Sequence, residues 1–269
     1  MQAKPLIPWP GGKRRLANQI IEALPAHDCY VEPFCGAAAV LLQKAPAKVE
    51  VLNDLNGDLI NLYRVVKHHP VEFTHQFRWA LNSRKMYEWH NVTAPQTLTD
   101  IQRAARFFYL QKLAFGARVT GRTFGTATTS KPRLNLMRIE EDISEMHLRL
   151  ANVYIEHLPW HECALRYDRP HTALFFDPPY WQTAGYGNDF PWSEYERLAE
   201  FAVNAKGGIV ITLNEHPDIR RLFADFDQKP MQISYTPGGS HRAKMATELL
   251  ITRPAKKFAA RTKPKNGQK

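Results

Sequence analysis

Phe175-Phe176-Asp177-Pro178-Pro179-Tyr180-Trp181 is the stretch that decides how the remainder of the chain is read. Ala173 to Phe176 is apolar and aromatic, too short for a helix and of strand character, so Asp177 emerges where a buried strand ends. Two successive prolines fix φ and supply no N–H, so the backbone leaves the strand stiff with its carbonyls turned outward. The outcome is a rigid array of acceptors, the Asp177 carboxylate and the Pro178 carbonyl, beside the ring of Tyr180. Such an array suits a flat group carrying an NH₂, a nucleobase taken out of its stack. The plainer reading is a turn after a core strand, with Asp177 capping it.

Upstream, Cys29-Tyr30-Val31-Glu32-Pro33-Phe34 followed by Cys35-Gly36-Ala37-Ala38-Ala39-Val40-Leu41-Leu42 reads as strand, tight turn and helix. Small residues through that turn let a ligand approach the backbone, as in nucleotide-binding βα turns. The turn is too poor in glycine to cradle a triphosphate, and fits a nucleoside better. Lys48 to Leu52 is a second short strand ending in Asn53-Asp54, and an acid at that place binds ribose hydroxyls in dinucleotide-type folds. Asp54 is equally placed to cap the helix expected over 56–67. At the N-terminal side, Trp9-Pro10-Gly11-Gly12-Lys13 precedes an amphipathic helix marked by Leu16, Ile20 and Leu24 and stopped by Pro25. Glycines before a helix N-terminus present N–H groups to an anion, and Lys13 adds a cation; a helix entry with a buried Trp accounts for the same residues.

From residue 70 to 151 the strand–helix alternation gives way to helices, expected over 71–82, 99–115 and 139–151, with Thr99 and Gln102 spaced as a capping box. This reads as an inserted helical domain between two parts, 1–69 and 152–254, of one catalytic domain. Between Ile101 and Ile139 stand Arg103, Arg106, Lys112, Arg118, Arg122, Lys131, Arg133 and Arg138 without one Asp or Glu. The turn-rich hairpin region 116–135 makes Arg118, Arg122, Lys131 and Arg133 the candidate DNA contacts.

Past the Asp-Pro-Pro-Tyr run, the aromatic and glycine-bearing stretch 183–192 reads as a loop over the site. Residues 194–204 read as a helix and 208–213 as a buried strand, with Asn214 at its active end. Strands over 231–236 and 248–252 form an expected antiparallel hairpin whose loop carries Arg242 and Lys244, and 255–269 reads as a basic disordered tail.

With 269 residues, 44% of them hydrophobic, the chain has enough material for a substantial core. A formal charge of +10 fits a polyanionic partner. No apolar run approaches the roughly 20 residues of a membrane span, and the first residues lack the apolar core of a signal peptide, so a cytosolic protein with no membrane contact is expected. Cys29, Cys35 and Cys163 have neither paired spacing nor an even count, which argues against disulfides and a thiolate zinc site; His157, His161 and Cys163 cluster, but Pro159 interrupts a helix that would present them together.

Taken in order, Trp9-Pro10-Gly11-Gly12-Lys13, Val31-Glu32-Pro33-Phe34-Cys35-Gly36, Asn53-Asp54-Leu55-Asn56-Gly57-Asp58-Leu59 and Asp177-Pro178-Pro179-Tyr180 resemble the Dam-type (D12 class) DNA adenine-N6 methyltransferases over nearly the whole chain. The resemblance implies a Rossmann-like S-adenosylmethionine-dependent methyltransferase fold with a mixed sheet. It implies Trp9, Lys13, Phe34, Gly36, Asp54 and Asp177 around S-adenosyl-L-methionine, and Asp177, Pro178 and Tyr180 at a flipped adenine of double-stranded DNA. A monomer without a metal is expected. Ala38 stands where the family often has a second turn glycine, which is expected to reshape the cofactor pocket slightly. Arg118 to Gly125 keeps only fragments of the hairpin pattern of GATC-methylating members, leaving the target sequence open. Competing readings are methylation of RNA or of a protein glutamine, against which Asp177 stands, and a catalytically silent DNA-binding regulator, against which both Asp177 and Tyr180 stand.

Overall fold

The computed structural model describes residues 3–126, 129–183, 190–235 and 244–253. Most of the loop expected over the site (184–189), the hairpin loop with Arg242 and the basic tail lie outside the described residues.

Seven strands form one sheet: β1 (Cys29–Glu32), β2 (Val49–Asn53), β3 (Val153–Glu156), β4 (Thr172–Phe176), β5 (Gly208–Asn214), β6 (Asp227–Tyr235) and β7 (Lys244–Thr252), in the order β3-β2-β1-β4-β5-β7-β6. The first five are mutually parallel, while β7 runs antiparallel to β5 and to β6. Strand order therefore reverses between β1 and β4, and in such sheets a crevice opens beyond the carboxyl ends of the strands at that point. All five residues of β4 are buried, as expected of a parallel strand covered on both faces.

The pleat sorts side chains between two cores. Tyr30, Leu52, Ala173, Phe175 and Val210 face helices α1 (Ala17–Ala23), α2 (Ala39–Gln43), α3 (Gly57–His68), α4 (Pro70–His75), α5 (Arg84–Val92), α6 (Asp100–Leu113) and α7 (Ile139–Leu150). Val31, Val51, Leu174, Phe176, Ile209 and Ile211 face α8 (Trp160–Tyr167), α9 (Trp192–Asn204) and α10 (Pro217–Leu222). This is a doubly wound α/β sandwich with a mixed sheet, as the sequence implies.

Several elements differ from expectation. The helix expected over 71–82 ends at His75, and a separate α5 starts after Ser83, whose hydroxyl accepts the Met86 N–H. Edge strand β3 was not foreseen, because four residues with Tyr154 exposed carry little alternation signal. Pro159 is the N-cap of α8 rather than a break in it, so His161 and the fully buried Cys163 lie on that helix and His157 before it. The capping box at Thr99 and Gln102 forms as read, and β6 carries Pro230 at the sheet edge, where a missing N–H costs no ladder bond.

Residues from 70 to 151 do not have a core of their own. Phe73, Phe107, Phe108 and Leu134 belong to the same apolar cluster as Tyr30 and Leu52 of the sheet. Polar contacts reinforce that junction: the Arg149 guanidinium of α7 meets Glu50 of β2 at 2.5 Å and donates to the Leu41 carbonyl at 2.7 Å, while Lys44 reaches the same carboxylate at 2.6 Å. No helix among the described residues is long and apolar enough to cross a membrane.

Candidate active site

The turn that opens the site follows from Pro10 and Gly11. Gly12 N–H donates to the Trp9 carbonyl at 3.1 Å and Gly11 has φ +67°, so Trp9 to Gly12 is a type II turn with Pro and Gly at its preferred central places. A single 3₁₀ turn, Lys13–Arg15, comes next, before α1. The Gly12 N–H is consumed within the turn, and the Lys13 cation expected to receive an anion or carboxylate points inward to one of the chain's own carboxylates. Lys13 is 3% exposed; its ammonium pairs with Asp177 Oδ1 at 2.9 Å, donates to the Gly11 carbonyl at 2.5 Å, and lies 3.8 Å from Glu248 Oε2 and 4.8 Å from the centre of the Tyr180 ring.

The turn after β1 is fixed by the backbone of Gly36. Its N–H donates to Asp54 Oδ2 at 3.0 Å, its carbonyl accepts the Tyr63 hydroxyl at 2.7 Å, and its φ is +45°. A Cβ there would lie 2.7 Å from the Trp9 indole, so only glycine lets the indole close on the turn. Ala38 adopts a left-handed conformation (φ +54°) and is fully buried within the core that the sheet shares with α1 to α7. Its methyl fills that core instead of lining the cleft.

Asp54 also accepts the Asn56 N–H at 2.9 Å, whereas the cap of α3 is Asn56, whose side chain accepts the Leu59 N–H. Asp54 therefore stitches the ends of β1 and β2 together and does not cap the helix. Burial raises its pKa, opposed by these two N–H donors.

Asp177 leaves β4 as the sequence suggests. Its Oδ1 accepts the Thr212 hydroxyl at 2.8 Å in addition to Lys13. Burial pushes its pKa up to about 6, with Lys13 opposing and Glu248 adding to the rise. Beyond it, the Pro179 carbonyl accepts the Tyr195 hydroxyl at 2.6 Å and the Trp181 carbonyl accepts the Asn214 amide at 3.1 Å. Among the described residues no backbone N–H reaches the Pro178 carbonyl. Tyr180 is 9% exposed, with the Lys13 ammonium over its ring.

A cleft of about 360 Å³ brings Trp9, Lys13, Phe34, Gly36, Asp54 and Asp177 together at the carboxyl ends of β1, β2 and β4. Phe34 stacks on Trp160 at 6.1 Å and meets the edge of Phe190 at 5.7 Å, giving the cleft an aromatic wall. Pro178 and Tyr180 adjoin the cleft without lining it. Sequence reasoning missed Glu32, Thr212 and Glu248. Glu32 is 1% exposed, lines the cleft and accepts both the Tyr30 hydroxyl (2.9 Å) and the Leu41 N–H (2.8 Å) at Oε1; burial, with the nearby Asp177 charge, pushes its pKa up to about 8. An acid directly before the apolar run Leu249 to Ile251 was the available sign of Glu248.

The candidate DNA contacts separate. Arg118, Lys131 and Arg133 are exposed, whereas Arg122 is half-buried with its guanidinium 5.1 Å over the Phe107 ring. Arg106 is buried and donates to the His90 and Asn91 carbonyls, pinning α5 to α6; Arg103 and Arg138 pair with acids.

A doubly wound sheet with an antiparallel last strand, and a cleft at its switch point, are consistent with an α/β methyltransferase. The profile of the D12 class N6 adenine-specific DNA methyltransferases matches residues 9–232, and the chain belongs to that family. It is 27% identical to the type II methyltransferase M1.LlaDCHI of Lactococcus lactis subsp. cremoris, over 93% of this chain and 95% of that protein. Identity to the DNA N-6-adenine-methyltransferase of Escherichia phage P1 is 29%, over 81% of this chain and 30% of that protein. To the DNA adenine methylase of Salmonella typhi it is 26%, over 77% of this chain and 79% of that protein.

Proposed function

We propose that this DNA adenine methyltransferase takes S-adenosyl-L-methionine in the cleft lined by Trp9, Phe34, Gly36 and Asp54, and methylates the N6 amino group of an adenine turned out of duplex DNA toward Asp177. The observation that carries the reading is the convergence of Trp9, Lys13, Gly36, Asp54 and Asp177, from four separate stretches of sequence, on one cleft. The residues fit the donor: the bare Gly36 turn lets the Trp9 indole close on it as a flat wall of the cleft, Asp54 offers carboxylate oxygens for ribose hydroxyls, and the volume lies in the range of small-molecule pockets.

Bound there, S-adenosyl-L-methionine supplies an electrophilic methyl that joins the amino nitrogen's lone pair while the sulfur–carbon electrons return to sulfur. The chain's task is to make that lone pair available. In adenine it is delocalised into the ring; hydrogen bonds from the amino group to the Asp177 carboxylate and the Pro178 carbonyl favour a pyramidal nitrogen and stabilise its developing positive charge. The nitrogen then releases one proton, which passes by way of the Asp177 carboxylate to solvent. The Tyr180 ring, adjoining the cleft, supplies an aromatic face for the base. Residues 70–151 form the DNA-recognition region, with Arg118, Lys131 and Arg133 on backbone phosphate.

Asp177→Ala is expected to abolish methyl transfer to duplex DNA while donor binding and folding persist. Tritium transfer from labelled donor to duplex DNA, single-stranded DNA and RNA measures this. Undiminished turnover in the variant, or preferred transfer to RNA, would overturn the proposal.

A further inference from the structure

Asp177 has two oxygens, and the neighbouring elements occupy them unequally. Oδ1 receives the Lys13 ammonium from the 3₁₀ turn at 2.9 Å and the Thr212 hydroxyl from β5 at 2.8 Å. Thr212 is fully buried and also lies 3.5 Å from the Phe176 carbonyl, so its hydroxyl is held at the end of β4. Glu248, from the antiparallel β7 and 1% exposed, flanks the same ammonium at 3.8 Å. The charged groups bearing on Asp177 are thus Lys13, Glu248 and, across β1, Glu32.

We infer that Thr212 and Glu248 are positioning residues for the methyl-transfer reaction, which together with Lys13 fix the Asp177 carboxylate through Oδ1 and offer Oδ2 to the target amino group. This rests on the reading that Asp177 accepts from that group. Thr212 sets the rotation of the carboxylate, since two donors at one oxygen define its plane where one leaves it free to turn. Glu248 divides the attraction of Lys13 between two carboxylates, so that Asp177 is anchored without surrendering its strength as an acceptor. Neither residue touches the base or the methyl donor in this account. A lone lysine would anchor Asp177 but weaken it.

The two residues act on Asp177 with opposite electrostatic sign, and this gives the test. The Thr212 hydroxyl stabilises the anionic form and Glu248 opposes it. Kinetics on duplex DNA are to be measured for the full-length protein and for Thr212→Val, Thr212→Ser and Glu248→Gln. Thr212→Val is expected to lower kcat about tenfold, as for loss of one hydrogen bond to a charged group, and to move the acid limb of kcat to higher pH. Glu248→Gln is expected to lower kcat and to move that limb to lower pH, while Thr212→Ser restores wild-type behaviour. KM for DNA and for the donor should stay near wild type in all three. Carboxyl ¹³C titration of Asp177 in the free protein reads the same opposed shifts without turnover, and urea unfolding reports whether each variant is folded. Unchanged kcat and limb in both variants, or shifts in the same direction, would overturn the inference. Full activity of Asp177→Asn would instead overturn the role of Asp177 itself.

Discussion

Asp54 accepts the backbone N–H of Gly36 at 3.0 Å, and with the Cys35 N–H donating to the Asn53 carbonyl at 2.8 Å this bond makes the turns after the first two strands a single wall of the cleft. The acid that the proposed function sets at the ribose also holds the glycine against which the Trp9 indole closes.

Gly36→Ala is therefore expected to damage fold and site together. The left-handed backbone alone costs about 1–2 kcal/mol with a Cβ present, and the methyl would lie 2.7 Å from the Trp9 indole. Thermal unfolding should register the loss, and calorimetric titration should show donor affinity reduced by about tenfold or more, the equivalent of about 1.4 kcal/mol.

Glu32→Gln is expected to stabilise the protein in alkaline solution. Both hydrogen bonds to Glu32 fall on Oε1, which the amide oxygen of Gln reproduces. The folded-state pKa is about 8 against an ordinary 4.5, so the protonated group's contribution is complete below about 4.5 and is lost as pH rises through about 8. Urea unfolding at pH 5 and pH 9 should show wild-type stability falling by several kcal/mol across this window, and the variant's changing less.

Activity should fall in acid as Asp177 takes up a proton. With burial pushing its pKa up to about 6 in the free protein, kcat/KM is expected to be half lost there, and to drop about tenfold per further pH unit. Lys13→Met, which removes the opposing charge, should move this limb to higher pH. A flat kcat/KM profile from pH 5 to pH 8 would contradict the assigned role.

Exposure divides the basic residues of the proposed recognition region into two classes of variant. Arg118→Ala or Arg133→Ala should weaken DNA binding evenly across sequences and reduce the salt dependence of log K by about one unit of slope. Arg122→Ala should instead lower stability, because its guanidinium packs over Phe107. Fluorescence anisotropy at several salt concentrations, with urea unfolding alongside, separates the two.

Much of this architecture is legible in local sequence. The β4 run ending in Asp177 is apolar because both of its faces are covered, and the Thr99 capping box is a short-range pattern. What escaped reading is what distant segments do to one another. Nothing near Lys13 says that it is buried against Asp177, and nothing near Thr212 says that its hydroxyl meets the same oxygen. Likewise Arg106 and Arg122, counted with the surface charge, are drawn in by His90 and Phe107. β3 escaped because its existence depends on pairing with β2, about a hundred residues earlier.

That pairing bears on how the chain acquires its fold. Asn53 donates to the Pro33 carbonyl and to the Leu158 carbonyl, and accepts the Leu158 N–H, so the edge of the sheet closes only after every helix from α3 to α7 has been synthesised. On the ribosome, β2 must wait for β3, and β1 for β4, through several seconds of elongation, and the sheet's unprotected rim during that interval is where assembly is most open to error.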